Sequence, residues 1–131
     1  MKDNKIKNFL IISCIGQDDK LGLRINKEFF IYSLPKKKHH SEQLVGEILK
    51  LIKKHNVNLD KKFTVIVNQG PGSFSGIRIS LAVAKGLEIT KKVNLFGFNN
   101  QDLDAFDKKN IEKLLNKNLI EKKLIKPIYL S

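Results

Sequence analysis

The sequence predicts a mixed α/β fold on three observations. Three short apolar segments open the chain, each the length of a strand. Two longer segments, from about residue 40 to 54 and from 75 to 90, repeat apolar residues at helical spacing. Two further β-branched or apolar runs, Phe63–Val67 and Val93–Phe98, each follow one of those helical segments. The expected order is β-β-β-α-β-α-β: a mixed five-stranded sheet with two main helices and a short helical C-terminal segment.

Each element has its own signal. Phe9 to Ile15 is a continuous apolar run, the mark of a strand buried on both faces. Leu21, Leu23 and Ile25 alternate with Gly22, Arg24 and Asn26, the period of a half-buried strand. Phe29 to Leu34 is a third strand, stopped by Pro35. The simplest arrangement of these three is an antiparallel meander. A basic connector, Lys36 to His40, leads to the first helix, with Leu44, Val45, Ile48, Leu49, Leu51 and Ile52 along its stripe. Its early acids (Glu42, Glu47) and late bases (Lys53, Lys54) complement the helix dipole. Gly46 inside it costs about 1 kcal/mol against alanine, so a close contact is expected there. Residues 101–123 read as one or two polar helices, and Lys126 to Ser131 as an extended tail. Three hairpin-linked strands followed by helical crossovers is the order of a ribonuclease H-like or actin-like half-domain.

Composition narrows the function classes. The chain has 131 residues, of which 41% are hydrophobic and 29% charged. That length supports about one core-forming domain. One cysteine excludes an internal disulfide framework and fits a reducing compartment. No apolar run reaches the roughly 18 residues of a membrane span. Phe9–Ile12 before Cys14 is also too short for the core of a secretory signal, which needs about 7–15 apolar residues. A cytoplasmic protein is expected. The net charge of +12 suggests a nucleic-acid partner. Yet all the basic residues except Arg24 and Arg78 are lysine, and they are spread evenly along the chain. Clustered arginine would grip phosphate better. Two readings stay open: A/T-rich codon bias, and a weak RNA-facing surface.

The most informative stretch runs from Gln69 to Leu87. Gly70, Pro71, Gly72, Ser73, Phe74, Ser75 and Gly76 form a glycine-rich loop between a strand and a helix. Gly70 and Gly72 allow a sharp turn, and Ser73 suits a helix cap. Gly76, Ser80 and Ala84 fall four apart, a smooth row that another helix can approach closely. As a phosphate loop the segment fits neither G-x-x-x-x-G-K-[ST] nor G-x-G-x-x-G.

This segment, G-P-G-S-F-S-G-I-R-I-S, resembles the TsaB signature G-P-G-S-F-T-G-x-R-I-G, with Ser75 for Thr and Ser80 for Gly. His40-Ser41-Glu42-Gln43-Leu44 is similar to the family's H-S-E-x-L, and Pro127-Ile-Tyr-Leu130 to its closing P-x-Y-L. Leu95 to Phe106 looks like the strand and helix start that follow. The resemblance implies an actin-like (ASKHA) fold and a subunit that performs no chemistry itself, with no cofactor, no metal and no catalytic residue. It implies pairing with the related catalytic subunit TsaD or with a second copy. It implies work alongside the ATPase TsaE in N6-threonylcarbamoyladenosine (t6A) modification of tRNA, with tRNA met through the complex. Two departures stand out. Ser13-Cys14-Ile15 replaces the family's Asp-Thr-Ser at the end of the first strand. Only a short segment follows Phe98, where the family continues into a second lobe. The expected division is residues 1–98 as the actin-like lobe and 99–131 as a helical segment and tail replacing the second lobe.

The expected partner surface is the two-helix face: Leu44, Val45, Ile48, Gly76, Ile77, Arg78, Ser80, Leu81 and Ala84, with the small-residue row at its centre. Arg78 reads either as an interface anchor or as a solvated charge at the sheet edge. A Ser80→Arg change is then expected to block association and leave the monomer folded. Rival readings are a nucleotide-dependent phosphotransferase or hydrolase using the glycine loop, and a lysine-driven RNA-binding module. His39, His40 and His55 lack zinc-site spacing, so no zinc is expected. Asp102, Asp104 and Asp107 read as acids in a helix first turn rather than as a metal cluster. Cys14 reads as a small buried apolar residue.

Overall fold

A computed structural model of the chain describes residues 6–16, 18–35, 41–122 and 126–128. In chain order its elements are strand β1 (Phe9–Ser13), β2 (Lys20–Ile25) and β3 (Glu28–Ser33), helix α1 (Ser41–Lys54), strand β4 (Thr64–Asn68), helix α2 (Phe74–Lys91), strand β5 (Asn94–Phe98), a 3-10 turn (Asn100–Asp102), helix α3 (Lys108–Asn116) and strand β6 (Ile120–Glu121). The described segments form a single sheet in the order β3-β2-β1-β4-β5-β6. The first three strands are an antiparallel meander, as expected. β4 lies parallel to β1, and β5 parallel to β4.

The central strands explain the continuous apolar runs. Leu10 and Ile12 of β1 join Val65 and Val67 of β4 under α1 and α2. Phe9, Ile11 and Ile66 point the other way, under α3. Both faces are thus covered, and a strand covered on both faces needs apolar side chains at every position. β2 alternates: Leu21 and Leu23 belong to the α1/α2 side, and Gly22 lies on the α3 side. A Cβ at Gly22 would come within 2.7 Å of Ile11 and 3.2 Å of Phe106, so glycine lets Phe106 lie over the sheet.

Three expectations are corrected. The sheet has six strands, not five: β6 pairs antiparallel with β5, Phe98 opposite Ile120. Two residues are too few to show a period in the sequence. Second, of the one or two polar helices expected over 101–123, the described residues form, after the 3-10 turn, one α-helix, Lys108–Asn116. Asp107 starts it, its Oδ1 accepting a 2.8 Å bond from the Asn110 amide, and Asn118 at φ 57° follows its end. Nine residues is short of the roughly 12–15 that an isolated helix needs. α3 is held by burial of Ile111, Leu114 and Leu115, each contributing about 1.5–3 kcal/mol. Third, Gly46 makes no close contact: a Cβ there would meet nothing within 4 Å.

Element ends otherwise shift by one or two residues, as hydrogen-bond patterns and sequence runs commonly disagree. The expected histidines His39 and His40, the connector from Lys36, and Tyr129 and Leu130 of the closing motif lie outside the described residues. Among the described residues no helix is long and apolar enough to cross a membrane.

Candidate functional site

Two regions bear on function: the carboxyl ends of the parallel strands, and the outer surface of α1 and α2. In open α/β sheets the first is where ligands bind.

At the strand ends the polar groups are bonded to one another. The Asn68 side-chain amide donates to Ser13 Oγ at 3.1 Å and to Asn100 Oδ1 at 2.9 Å. Its own oxygen accepts from the Gly70 amide at 2.9 Å. Gln69 donates through its backbone to the Phe98 carbonyl at 2.8 Å and accepts from the Ile128 amide at 2.7 Å. Its side-chain nitrogen donates to the Lys126 carbonyl at 2.8 Å. Gly97 makes room for that side chain, because a Cβ there would collide with Gln69 Oε1. The tail segment 126–128 is thereby fastened over the strand ends. Among the described residues no buried side-chain nitrogen or oxygen lacks a partner.

The glycine loop is explained by close packing against the end of β1. The Ser73 amide donates to the Ile15 carbonyl at 2.7 Å. A Cβ on Gly72 would stand 2.7 Å from Ile15, and one on Gly76 2.7 Å from the Cys14 carbonyl oxygen. Gly70, at φ 100°, would place a Cβ 2.6 Å from the Ile128 carbonyl. The Gly70–Pro71 peptide is cis. Ser73 caps α2, accepting from the Gly76 amide at 3.5 Å. Ser75 and Phe74 project from the start of α2 and are exposed. The loop thus lets α2 begin against the strand end.

Two polar residues of this region escape a sequence reading focused on glycines. Asn68 and Gln69 look like an ordinary strand exit, yet they organise the network. Asp19 is buried, and its carboxylate accepts from the Gly16 amide at 2.8 Å. Only its place in a polar turn signals it. Beside it the Cys14 thiol is pushed up from 9.0 to about 12, by burial first and the Asp19 charge second. Cys14 is the small buried residue expected. Among the described residues no three His, Cys, Asp or Glu could share a metal ion. Asp107 caps α3, and Asp102 sits in the 3-10 turn. His55 is used in packing, its ring 4.2 Å from Phe30 and its Nε2 bonded to the Tyr32 hydroxyl at 2.8 Å.

The small-residue row turns inward, which corrects the expected partner surface. Gly76, Ile77, Ser80, Leu81 and Ala84 are all buried in the chain's own core, as are Leu44 and Ile48. Ser80 is fully buried and donates its hydroxyl to the Ile77 carbonyl at 3.0 Å. At Gly76 the row is small because the helix start lies on the end of β1. Ser80→Arg would therefore overpack the monomer itself. Of the nine expected residues, Val45 and Arg78 face solvent. Arg78 is not at the sheet edge: its guanidinium lies 5.0 Å from the Phe74 ring centre on the outer side of α2.

That outer side carries apolar residues besides the expected Val45. Phe74 is 56% exposed, Ile89 67%, Leu49 51% and Val45 37%. Phe74, Arg78, Ala82 and Ile89 share one face by helical spacing, as do Val45 and Leu49. Gly46 of α1 and Gly86 of α2 both front open space. α1 and α2 pack side by side on the same face of the sheet.

The sheet order, with a meander feeding two parallel crossovers, defines an actin-like, ribonuclease H-like lobe. The comparisons agree. A family model described as TsaD, tRNA N6-adenosine threonylcarbamoyltransferase, matches residues 34–118. The TsaB protein of Buchnera aphidicola subsp. Schizaphis graminum is 30% identical over 98 residues, covering 73% of this chain and 47% of that protein. Its counterpart from subsp. Baizongia pistaciae is 41% identical over 51 residues, 39% of this chain and 23% of that one. The solved structure of YeaZ from Pseudomonas aeruginosa superposes with a TM-score of 0.66 at 17% identity, over 74% of this chain and 46% of that one. The chain belongs to this threonylcarbamoyltransferase-related family, on the branch that the TsaB proteins represent. It spans half or less of the length of the curated relatives it matches.

Proposed function

We propose that this chain is a non-catalytic TsaB-like subunit in t6A modification of tRNA, docking a TsaD-like catalytic subunit through the outer faces of α1 and α2. The carrying observation is that α2 exposes large apolar residues on the side turned away from the sheet, alongside the cations Arg78 and Lys85. Its inner face holds Ile77, Leu81 and Ala84, and its outer face Phe74, Ala82 and Ile89. Exposed apolar residues rimmed by charged ones mark an interaction surface. Nothing in the described chain covers the outer side. Gly46 and Gly86 leave recesses there into which a partner helix can settle. Phe74 with Arg78 stacked on it has the aromatic and arginine character of an interface anchor.

The strand-end region supports the non-catalytic part of the reading. Its Asn68 and Gln69 side chains bond to neighbouring residues and to the tail segment, and Ser13 stands where actin-like enzymes hold an acid. The rival nucleotide-dependent enzyme finds no support in that geometry. TsaE-like ATPase recruitment, pairing with a second copy through the same face, tRNA contact through the complex and a cytoplasmic location belong to the same proposal.

The test is t6A content. Depleting the chain in its own cells should lower t6A in tRNA measured by mass spectrometry. Wild-type chain should restore it, whereas a Leu49→Glu/Ile89→Glu pair that remains folded should not. Full restoration by that pair would remove the docking face from the proposal.

A further inference from the structure

We propose that the cleft on the opposite side of the sheet, where β1 begins and α3 ends, is a binding site for phosphate groups of a nucleotide or polynucleotide. The cleft has a volume of about 610 Å³ and is lined on three sides by chain from three elements. Lys7 and Asn8 stand at the start of β1, Arg24 and Lys27 at the end of β2 and its turn, and Glu112 and Asn116 on the last turns of α3.

Its charge is one-sided. Three cations face it against one carboxylate; Glu112 Oε2 lies 3.6 Å from Arg24 Nη1, so the charge excess comes from Lys7 and Lys27. Arg24 pairs with Phe9 across the sheet, so its side chain rises on the α3 face beside the cleft. Among the described residues neither Lys7 nor Lys27 has an acidic partner. Lys27 is aimed by a two-residue hairpin in which Asn26 and Lys27 both take left-handed backbone, φ 52° and 72°. The turn is pinned to β1 by the Asn26 amide, which donates to Asn8 Oδ1 at 3.2 Å. With that oxygen spent, the Asn8 amide nitrogen keeps donors for an anion. An arginine shared with Glu112, two unpaired lysines and side-chain amides make a donor set that can take phosphate oxygens. The site is separate from the α1/α2 face and does not depend on docking.

The test uses the whole chain and a labelled twelve-nucleotide single-stranded RNA, with binding followed by fluorescence anisotropy at several salt concentrations. A Lys7→Gln/Lys27→Gln pair should weaken binding about twentyfold at 0.1 M salt and flatten the log–log salt slope by about 1.4, two phosphate contacts' worth. Lys27→Arg should bind like wild type. A control pair, Lys53→Gln/Lys85→Gln, removes the same charge from the other face and should change binding less than twofold. Competition by millimolar AMP and inorganic phosphate identifies the source: displacement of the RNA assigns the cleft to a free nucleotide, and no displacement to a polynucleotide backbone. Equal losses in the two pairs would show a diffuse lysine effect and overturn the site, as would RNA binding too weak to saturate in wild type.

Discussion

Gly76 and Gly46 are both helical glycines, and they predict opposite outcomes. Gly76→Ala gains helix propensity but drives its Cβ to 2.7 Å from the rigid Cys14 carbonyl, so it should lose about 1–3 kcal/mol. Gly46→Ala meets open space and should gain about 1 kcal/mol. Urea unfolding of the two variants checks both signs. Cys14 gives a pH prediction. Its folded thiol titrates near 12 against 9.0 ordinarily, so between those values the folded chain holds a proton that the unfolded chain has lost. Its contribution to stability is intact below pH 9 and falls as pH rises toward 12, by at most about 1.4 kcal/mol per pH unit. At pH 8 the native thiol should resist a disulfide reagent and react fully in denaturant; fast reaction in the native state would contradict its burial. No residue-scale signal in the sequence separates these two glycines. Periodicity states that a glycine is on a helix, and only the neighbouring backbone states whether it is needed there.

Among elements, β1 and β4 were the most legible, because burial on both faces writes itself as an unbroken apolar run. α1 was legible because its two sides differ sharply in polarity. The sequence marks α2 as a helix but not which of its sides faces inward. Apolar and small residues occur on both of its sides, so the four-residue row of Gly76, Ser80 and Ala84 carried no sign of inside or outside. β6 leaves no mark in the sequence because two residues have no period, and it is held by pairing with β5. α3 depends on its start. Asp107 satisfies the Asn110 amide and binds the Asn110 side chain as well. Asp107→Ala should cost about 1 kcal/mol. Since α3 forms the wall of the cleft that holds Glu112, its melting should also weaken binding there. Thermal unfolding followed by circular dichroism measures the first effect.

The whole molecule is a sheet with two unlike covers. On one side α1 and α2 bury the larger core and turn apolar residues outward. On the other, α3 caps a smaller core and leaves a basic cleft at its end. The family resemblance was legible in the glycine motif, although the motif's physical role is internal: its glycines hold α2 against β1. The candidate interface was half legible. Seven of the nine expected residues are core residues, and the proposed docking face on the same two helices rests instead on Leu49, Phe74, Ala82 and Ile89 with Val45 and Arg78.

The most direct measurement is affinity capture of the TsaD-like protein from the same cells, co-expressed with wild-type chain or with variants, followed by sizing of the complex. Wild type should capture its partner in a stable complex. Phe74→Glu/Ile89→Glu should stay a folded monomer and capture none, because it puts two charges on the outer face of α2. Ser80→Arg should fail differently, by losing the fold. Capture by the Phe74→Glu/Ile89→Glu chain at wild-type yield, or no capture by the folded wild-type chain, would contradict the account.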